Sequence, residues 1–355
     1  MIDQLTEISA ACDLRIPNEH LRPIAIIGAG TIVEGAHLPS YANLGIEVAG
    51  IYDLDRPRAE ALATKFGIAR VYDSLAEALG DSRVEIVDIA LPAAVQPPVV
   101  AAALRADRHV LAQKPLALDS QKALELVELA EARNRYLCIN QQARFDEGVM
   151  AARAMIERGW IGQPVGFEMS VIRATHWRSW YLDVPELELW DHSIHEIDIL
   201  RSWFGTPVSA WCGAGTVPGQ ECTGETNVFC GFTFSANLHG IYRATSENRA
   251  GDNVTRFRID GSEGAIEGDF GRFAPAIGQR FGRPDHLRVW SRTLPTEDWL
   301  VYPCTKRWFL DAFAGPIGVL FRAVATNTPP VPSARDNVDT IRLIETLYAS
   351  MKAPP

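Results

Sequence analysis

The stretch Ile24–Val33, which reads IAIIGAGTIV, decides the fold of the N-terminal half of the chain. A short run of β-branched and small apolar residues ends at two glycines, which is typical of a buried parallel strand followed by a tight turn. Gly28 permits the turn, Gly30 lets a ligand approach the backbone, and the predicted helix beyond offers unpaired N–H groups to an anion. Val33 replaces the third glycine of this pattern and predicts a wider packing of helix against strand.

Outward from this turn, short apolar runs alternate with helical segments as far as Asn140. Such alternation requires right-handed crossovers and a parallel sheet that is covered on both faces. We therefore predict an α/β protein with a doubly wound Rossmann domain over residues 22–142, preceded by a polar leader at residues 1–21.

Strand-like runs dominate beyond Met150, so residues 143–355 are predicted to form an α+β domain with a mostly antiparallel, open sheet. This domain is expected to bind substrate and to carry the contacts of a homodimer or homotetramer, because an open sheet face favours association. Its last helix is expected to pack back toward the Rossmann domain. The predicted helices are 190–204, 305–325 and 336–351, a long turn is predicted at 213–224, and residues 270–298 are predicted to be irregular surface.

The overall composition argues against several classes of partner. The 355 residues carry a net charge of -10, which would repel phosphate backbones and anionic lipids, so neither nucleic acid nor a membrane is expected to bind. We expect no apolar run near the roughly 18 residues of a membrane span, and no export signal. The six cysteines lack CxxC spacing and are interpreted as reduced thiols, which predicts a cytoplasmic location.

Asp53 ends the second predicted strand, where a carboxylate can accept both hydroxyls of an adenosine ribose. The same charge would repel a 2′-phosphate, so NAD is favoured over NADP as the cofactor. Arg56 and Arg58 follow closely and would soften this preference if they faced the ribose; otherwise they are solvated arginines on a helix face. The residues predicted to bind the dinucleotide on this basis are Gly28, Gly30, Thr31, Ile32 and Asp53.

A lysine stands where the strand at 109–112 ends, at the edge that binds ligands in doubly wound sheets. Pro115 fixes the backbone and directs Lys114 toward the crevice, where a positive nicotinamide ring and partial burial should favour the neutral amine. Taken alone, a lysine after a strand can equally be a solvated surface charge.

A second cluster lies on the predicted helix at 190–204, where residues 191–198 read DHSIHEID. Asp191, His195 and Asp198 are spaced at i, i+4 and i+7 and are predicted to share one stripe. A histidine beside a carboxylate on a rigid helix suits proton transfer, because its ordinary pKa of about 6.5 lies near working pH. The same spacing also suits a zinc site, or a capped surface histidine.

Together these motifs resemble the glucose-fructose oxidoreductase and inositol dehydrogenase (Gfo/Idh/MocA) family over residues 22–350. The elements that match directly are the glycine turn, His37-Leu38-Pro39, and Asp191 and His195 followed by Ile197-Asp198 and Trp203-Phe204-Gly205. Two elements match with substitutions. Leu91-Pro92 and Gln96 stand in place of the family's Thr-Pro and histidine, and Gln113-Lys114-Pro115 stands in place of Glu-Lys-Pro. The family's glycine-rich turn before the aspartate is replaced here by residues 185–190, which predicts a different shape of the substrate pocket.

The resemblance implies an NAD-dependent sugar or polyol dehydrogenase without a metal ion. It implies that Lys114, Asp191 and His195 are catalytic. In these implied roles His195 removes the hydroxyl proton, Lys114 stabilises the oxyanion or relays the proton, and Asp191 binds a neighbouring hydroxyl and holds His195. The further cofactor-binding residues that it implies are Leu91, Pro92, Gln96, Gln113 and Lys114.

The substrate pocket is predicted from aromatic and cationic residues near the strand at 165–173, since indoles suit sugar faces and guanidinium groups suit hydroxyls or carboxylates. For each of these residues, core packing or an interface is the alternative. The substrate-binding candidates are Gln142, Arg144, Arg173, His176, Trp177, Arg178, Asp191 and His195.

The predicted substrate is an aldose, for example a pentose such as apiose or xylose, oxidised at the anomeric carbon to a lactone. Oxidation of a ring hydroxyl of an inositol or pyranose is the first alternative. Two hypotheses from other classes are a non-catalytic NAD(P) sensor and a redox-cycling enzyme that cleaves glycosides.

Overall fold

The computed structural model describes residues 2–174, 182–251, 253–271, 284–294 and 297–352. The chain forms two compact units. The first comprises residues 14–142 and 310–341, and the second comprises residues 1–13, 143–309 and 342–355.

Five parallel strands form the sheet of the first unit, in the order β2-β1-β3-β4-β5. They are β1 (Ile24–Ile27), β2 (Val48–Tyr52), β3 (Ile86–Ile89), β4 (His109–Ala112) and β5 (Leu137–Ile139). Every residue of β1, β3 and β4 is buried, as expected of strands covered on both faces. The predicted doubly wound sheet is confirmed. Its switch point lies at β1, from which the chain order runs to β2 on one side and to β3 on the other. Sheets of this kind bind ligands at the carboxyl ends of the strands at that point.

Helices cover this sheet and begin at the residue types that favour helix starts. The side chains of Asp55, Ser74 and Asp119 each accept a hydrogen bond from the backbone N–H three residues later, which caps the helix that follows. The helices of the unit are α2 (Leu38–Leu44), α3 (Arg56–Phe66), α4 (Leu75–Gly80), α5 (Gln96–Arg105), α6 (Ser120–Ala132) and α10 (Ala314–Thr326).

Within the described residues, one helical segment, Trp308–Thr326, is long and apolar enough to cross a membrane by length and composition, with a mean hydropathy of 1.4. This corrects the expectation that the chain holds no such segment. Half of it is buried, and Ile317, Leu320 and Phe321 of α10 are fully buried in the same core cluster as Ile24. A core helix passes the same test of composition because it too is apolar on most faces.

Eight described strands form the sheet of the second unit, in the order β13-β12-β11-β10-β6-β9-β8-β7. All neighbours are antiparallel except β6 and β9, so the predicted, mostly antiparallel sheet is confirmed. The strands are β6 (Pro164–Ala174), β7 (Ser209–Gly215), β8 (Asn227–Thr233), β9 (His239–Asn248), β10 (Val254–Gly261), β11 (Gly264–Asp269), β12 (His286–Ser291) and β13 (Leu300–Tyr302).

The segment predicted as a leader, residues 1–21, contains a helix that groups with the second unit. Helix α1 (Ile2–Ala11) buries Ile8 completely, and the hydroxyl of Ser9 lies 3.1 Å from the hydroxyl of Tyr302. The remaining helical segments are α7 (Glu147–Glu157), a π-helical turn (Glu188–Ser193), α8 (Ile194–Phe204), α9 (Trp308–Asp311) and α11 (Ala334–Met351). Of α9, residues 308 and 309 group with this unit, and of α11, the residues from 342 onward.

Three predicted elements differ from the structure. Residues 270–298 contain β12, whose residues Leu287, Val289 and Ser291 alternate inward, so this segment is not wholly irregular. The predicted helix at 305–325 is divided into α9 and α10, because Pro316 has no N–H to donate and favours the first turn of a new helix. The predicted long turn at 213–224 begins inside β7.

Candidate active site

The Gly28 turn at the end of β1 admits only glycine. Its φ is 111°, and a Cβ added there would lie 2.5 Å from the carbonyl oxygen of Ala90. Its N–H donates to the carbonyl of Tyr52 over 2.7 Å. Among the described residues, nothing lies within 4 Å of the Cβ position of Gly30, so the backbone there is open to a ligand. This is the cradle that a pyrophosphate requires at a helix N-terminus.

The carboxylate of Asp53 is held beside this turn. Its Oδ2 accepts the N–H of Ala29 over 2.6 Å, and its Oδ1 accepts the N–H of Asp55 over 2.8 Å. The side chain is only half-buried, and each oxygen keeps a second lone pair for a ribose hydroxyl. The residues present therefore fit a bound NAD.

Arg56 and Arg58 are exposed on α3 and pair with carboxylates of their surroundings. Arg56 binds Glu60 over 2.7 Å and also Asp73, and Arg58 lies 3.6 Å from Asp55. These contacts agree with solvated arginines on a helix face.

We predict that Asp53→Ala weakens NAD binding by about ten- to a hundredfold, because hydrogen bonds to a charged acceptor are worth about 1.5–3 kcal/mol each. Binding of NADP should change much less, since the variant also loses the repulsion of the 2′-phosphate. Titration calorimetry with both dinucleotides measures the difference. Asp73→Ala, at an exposed carboxylate of the same unit, is the control, and equal losses for NAD and NADP would contradict the assignment.

The helix after the turn carries Thr31 and Ile32 and then passes into a π-helical turn, Val33–His37, before α2. Val33 is fully buried. A π-helical turn closes its hydrogen bonds one residue later than an α-helical turn. The wider packing of helix against strand stays a prediction.

The Gln113–Pro115 segment follows β4 and is clamped by Gln96. The fully buried side chain of Gln96 donates to the carbonyls of Gln113 and Pro115 over 2.7 and 3.2 Å, and accepts the N–H of Gln113 over 3.0 Å. The peptide bond between Lys114 and Pro115 is cis. Gln96 therefore positions the backbone of the Lys114 segment, and its contact with the cofactor stays a prediction.

Leu91 and Pro92 follow β3 at the same edge of the sheet. A methyl carbon of Leu91 lies 3.3 Å from the position that a Cβ on Gly28 would occupy. Leu91 thus borders the glycine cradle, and Pro92 is exposed beside it.

In the second unit, Asp191 lies in the π-helical turn Glu188–Ser193, and His195 follows in the first turn of α8. Both are partly exposed, and the His195 ring meets Trp308 edge-on at 6.3 Å between centroids. Asp191 Oδ2 lies 3.7 Å from Nε2 of His192, a residue that the sequence did not single out. Among the residues that the structure describes, no group of three His, Cys, Asp or Glu side chains is placed to hold a metal ion.

Asp198 does not share the partly exposed stripe predicted for Asp191 and His195. It is 1% exposed and accepts two hydrogen bonds from Arg144, over 2.7 and 2.6 Å. The π-helical turn changes the angular spacing between residues 191 and 195, so a uniform α-helical spacing does not describe this segment.

A buried ion network lies beneath this turn. Arg173 of β6 donates to Glu188 over 2.9 Å and to Glu196 over 3.1 Å, and all three side chains are at most 3% exposed. Glu188 also accepts the hydroxyls of Ser193 and Ser246 over 2.8 and 2.6 Å. The network joins β6 and β9 to the segment that carries Asp191 and His195.

The contacts of Arg144 and Arg173 give both residues a structural role, because each guanidinium group is buried against a protein carboxylate. Their predicted contact with substrate stays a prediction. Gln142 is also buried, in a turn that spans Gln142–Phe145. The other substrate candidates, His176, Trp177 and Arg178, lie outside the described residues.

Burial raises the pKa of Glu188 to about 7, although the Arg173 charge lowers it. In the unfolded chain Glu188 has its ordinary pKa of 4.5. Between about pH 4.5 and 7 its carboxyl group is therefore protonated in the folded chain but ionised in the unfolded chain. The free energy of unfolding should therefore fall as pH rises through this window.

We predict that Glu188→Gln removes this contribution, so that stability falls less steeply from about pH 5 to pH 7 than in the wild type. Urea unfolding at several pH values measures the slope. Glu157→Gln, at an exposed pair with Arg153, is the control, and equal slopes in wild type and Glu188→Gln would contradict the assignment.

Glu225 is a functional residue that the sequence analysis missed. Its carboxylate accepts the N–H groups of Leu187, Glu188 and Leu189 over 3.0–3.4 Å, and the hydroxyl of Tyr348 over 2.5 Å. It thus caps the π-helical turn that carries Asp191. No local pattern reveals this contact, because Glu225 lies 36 to 38 positions after the N–H groups that it accepts.

Family models match both parts of the chain. The model described as an oxidoreductase family with an NAD-binding Rossmann fold matches residues 22–141, and the model of a GFO/IDH/MocA C-terminal domain matches residues 149–267. The predicted family and cofactor agree with these matches.

Comparison with individual proteins gives modest sequence identities. The chain is 25% identical to D-apiose dehydrogenase of Paraburkholderia graminis over 339 residues, which cover 92% of this chain and 87% of that protein. It is 30% identical to inositol 2-dehydrogenase of Acidothermus cellulolyticus over 195 residues, 52% of this chain and 54% of the relative. The chain thus spans only about half the length of this and several other curated relatives that it matches.

Among solved structures, levoglucosan dehydrogenase in complex with NADH and levoglucosan superposes with a TM-score of 0.77. The match covers 93% of this chain and 97% of that chain at 19% identity. At this sequence identity, the similarity between the two structures shows a shared fold alone.

Proposed function

Because the chain belongs to the Gfo/Idh/MocA family of NAD-binding oxidoreductases, we propose that it transfers a hydride between a hydroxyl of a sugar and NAD. The glycine cradle at Gly28 with the oriented carboxylate of Asp53 carries this proposal, since together they fit the pyrophosphate and ribose of the cofactor. The proposed substrate is an aldose, for example a pentose such as apiose or xylose, oxidised at its anomeric carbon to a lactone. The similarity to D-apiose dehydrogenase over most of both chains supports this substrate class.

NAD, when bound, supplies the hydride acceptor. In the proposed mechanism His195 takes the proton of the reacting hydroxyl as general base, because an imidazole titrates near working pH. Lys114 stabilises the negative charge that develops on the oxygen, and Asp191 binds a neighbouring hydroxyl. Glu225 and the Arg173 network hold the turn that presents Asp191, and Gln96 holds the segment that presents Lys114.

Oxidation of a ring hydroxyl is the second candidate, and the similarity to inositol 2-dehydrogenase favours it. A non-catalytic NAD(P) sensor and a redox-cycling glycoside-cleaving enzyme are the alternatives from other classes. The presence of Lys114, Asp191 and His195 together argues against a sensor, which has no need of all three.

A panel of aldoses, polyols and inositols, each tested with NAD and NADP, separates these functions. A dehydrogenase forms NADH in amounts equal to the oxidised sugar, which the absorbance of NADH reports. A sensor or a redox-cycling enzyme forms none. Absence of NADH with every sugar, in a protein that binds NAD, would overturn the proposed activity.

We also propose a homodimer or homotetramer that uses the outer face of the second unit's sheet. Trp211, Phe229 and Ile241 lie on neighbouring strands of this face and are 52%, 42% and 40% exposed. The Trp211 indole lies across Gly231, so these apolar groups form one patch. Sedimentation at several concentrations tests the assembly, and a monomer throughout would contradict it.

A further inference from the structure

A buried polar cluster lies directly behind the Gln113–Lys114 segment in the first unit. His37, Asp88 and Asn140 are at most 1% exposed, and Tyr41 is 2% exposed. The Nδ1 of His37 lies 2.6 Å from Oδ2 of Asp88, and the Tyr41 hydroxyl donates to the same oxygen over 2.7 Å. On the other side of the ring, Nε2 of His37 lies 3.3 Å from the amide nitrogen of Gln113 and 3.0 Å from that of Asn140.

The hydrogen bond of the Lys114 backbone fixes which way the Gln113 amide faces. The N–H of Lys114 can only donate, and it lies 2.8 Å from Oε1 of Gln113. The other end of the amide, the NH₂ group, therefore faces His37. Since an NH₂ group can only donate, Nε2 of His37 must accept, and the ring proton must lie on Nδ1, toward Asp88.

The partners of Asp88 agree with this assignment. The Oδ2 atom of Asp88 accepts from the Tyr41 hydroxyl and lies where it can also accept from Nδ1–H of His37. Burial and the neighbouring Asp88 raise the pKa of Tyr41 well above its usual range, so this hydroxyl keeps its proton and donates. The chain of contacts thus runs from Asp88 through a neutral imidazole to the Gln113 amide and on to the backbone of Lys114.

We propose that His37 is a positioning residue for the dehydrogenase reaction, and that its Nε2, by accepting the Gln113 amide, fixes the segment from which Lys114 acts. This inference rests on the proposed function. Gln96 holds the carbonyls of Gln113 and Pro115, but the Lys114 N–H is held by the Gln113 side chain, whose own orientation depends on His37.

Two substitutions separate this role from a purely structural one. In His37→Gln the side-chain amide reaches the place of Nε2 and can still accept from Gln113. In His37→Asn the amide reaches only the place of Nδ1, so it can still donate to Asp88 but not accept from Gln113. A positioning role predicts that His37→Asn is the more damaging variant, and a role in satisfying the buried oxygen of Asp88 predicts the reverse.

We expect His37→Asn to lower kcat by roughly ten- to a hundredfold without a change in the Kd for NAD, because small displacements of a catalytic group are costly. His37→Gln should retain most of kcat. Tyr41→Phe, which removes the other hydrogen bond to Asp88, should lower the melting temperature but not kcat. Equal losses in the two His37 variants, or a larger loss in His37→Gln, would overturn the proposal.

A second measurement does not depend on the activity. Nitrogen NMR of the histidine-labelled wild type should show His37 protonated on Nδ1 and not on Nε2, with His37→Gln used to assign its signal. A proton on Nε2 would overturn the inference whether or not the protein oxidises sugars. Failure of the sugar panel with the expected tautomer would instead overturn the proposed function.

Discussion

Lys114→Ala and His195→Ala are each expected to lower kcat for sugar oxidation by about a hundredfold or more, while the Kd for NAD stays close to that of the wild type. Lys114 follows β4 at the same edge of the parallel sheet where β1 ends, and His195 lies at the start of α8. Neither side chain is needed for the glycine cradle or for the ribose carboxylate of Asp53, so loss of either should affect the reaction rather than cofactor binding.

Steady-state formation of NADH gives kcat, and quenching of protein fluorescence by NAD gives the Kd. Lys122→Ala is a matched control for Lys114, because Lys122 is an exposed lysine of α6 that pairs with Glu125 over 2.6 Å. The control should keep both values. Normal turnover in either Lys114→Ala or His195→Ala would remove that residue from the mechanism.

Those features of the site that depend on local backbone chemistry were predictable from the sequence. Gly28 is needed where a strand turns into a helix, and Asp53 ends the next strand, so their positions follow from the order of elements. The alternation of strands and helices likewise predicts the parallel, doubly wound sheet, and the motifs that follow its strands indicate the family.

The features that depend on contacts between distant segments were not predictable. Glu225 caps a turn 37 residues earlier, and Arg173 meets Glu188 and Glu196 only because β6 lies beneath the turn. A single sequence shows each of these as an isolated charge. The π-helical turn at Glu188–Ser193 was hidden for a related reason, since helical periodicity assumes a constant number of residues per turn.

The Arg173 network should contribute the largest single effect on stability, and Arg173→Met is expected to lower the free energy of unfolding by about 3–5 kcal/mol. Burial lowers the pKa of Arg173, but the charges of Glu196 and Glu188 raise it by more than burial lowers it. The guanidinium therefore stays charged in the folded chain. Its removal leaves two carboxylates, both at most 1% exposed, without this compensating charge.

The loss of unfolding free energy in Arg173→Met should increase with pH. A carboxylate that loses its cation while buried takes up a proton more readily, so the folded variant binds protons that its unfolded chain does not. The deficit relative to wild type should therefore be larger near pH 8 than near pH 6, which urea unfolding at both values measures.

Replacing both carboxylates as well, in Arg173→Met/Glu188→Gln/Glu196→Gln, should recover most of the stability, because neutral amides cost less to bury than charges. Arg153→Met, at an exposed i, i+4 pair with Glu157, should change stability by no more than about 0.5 kcal/mol. A loss in Arg173→Met as small as that of Arg153→Met would show that the buried ion network does not stabilise the turn that carries Asp191.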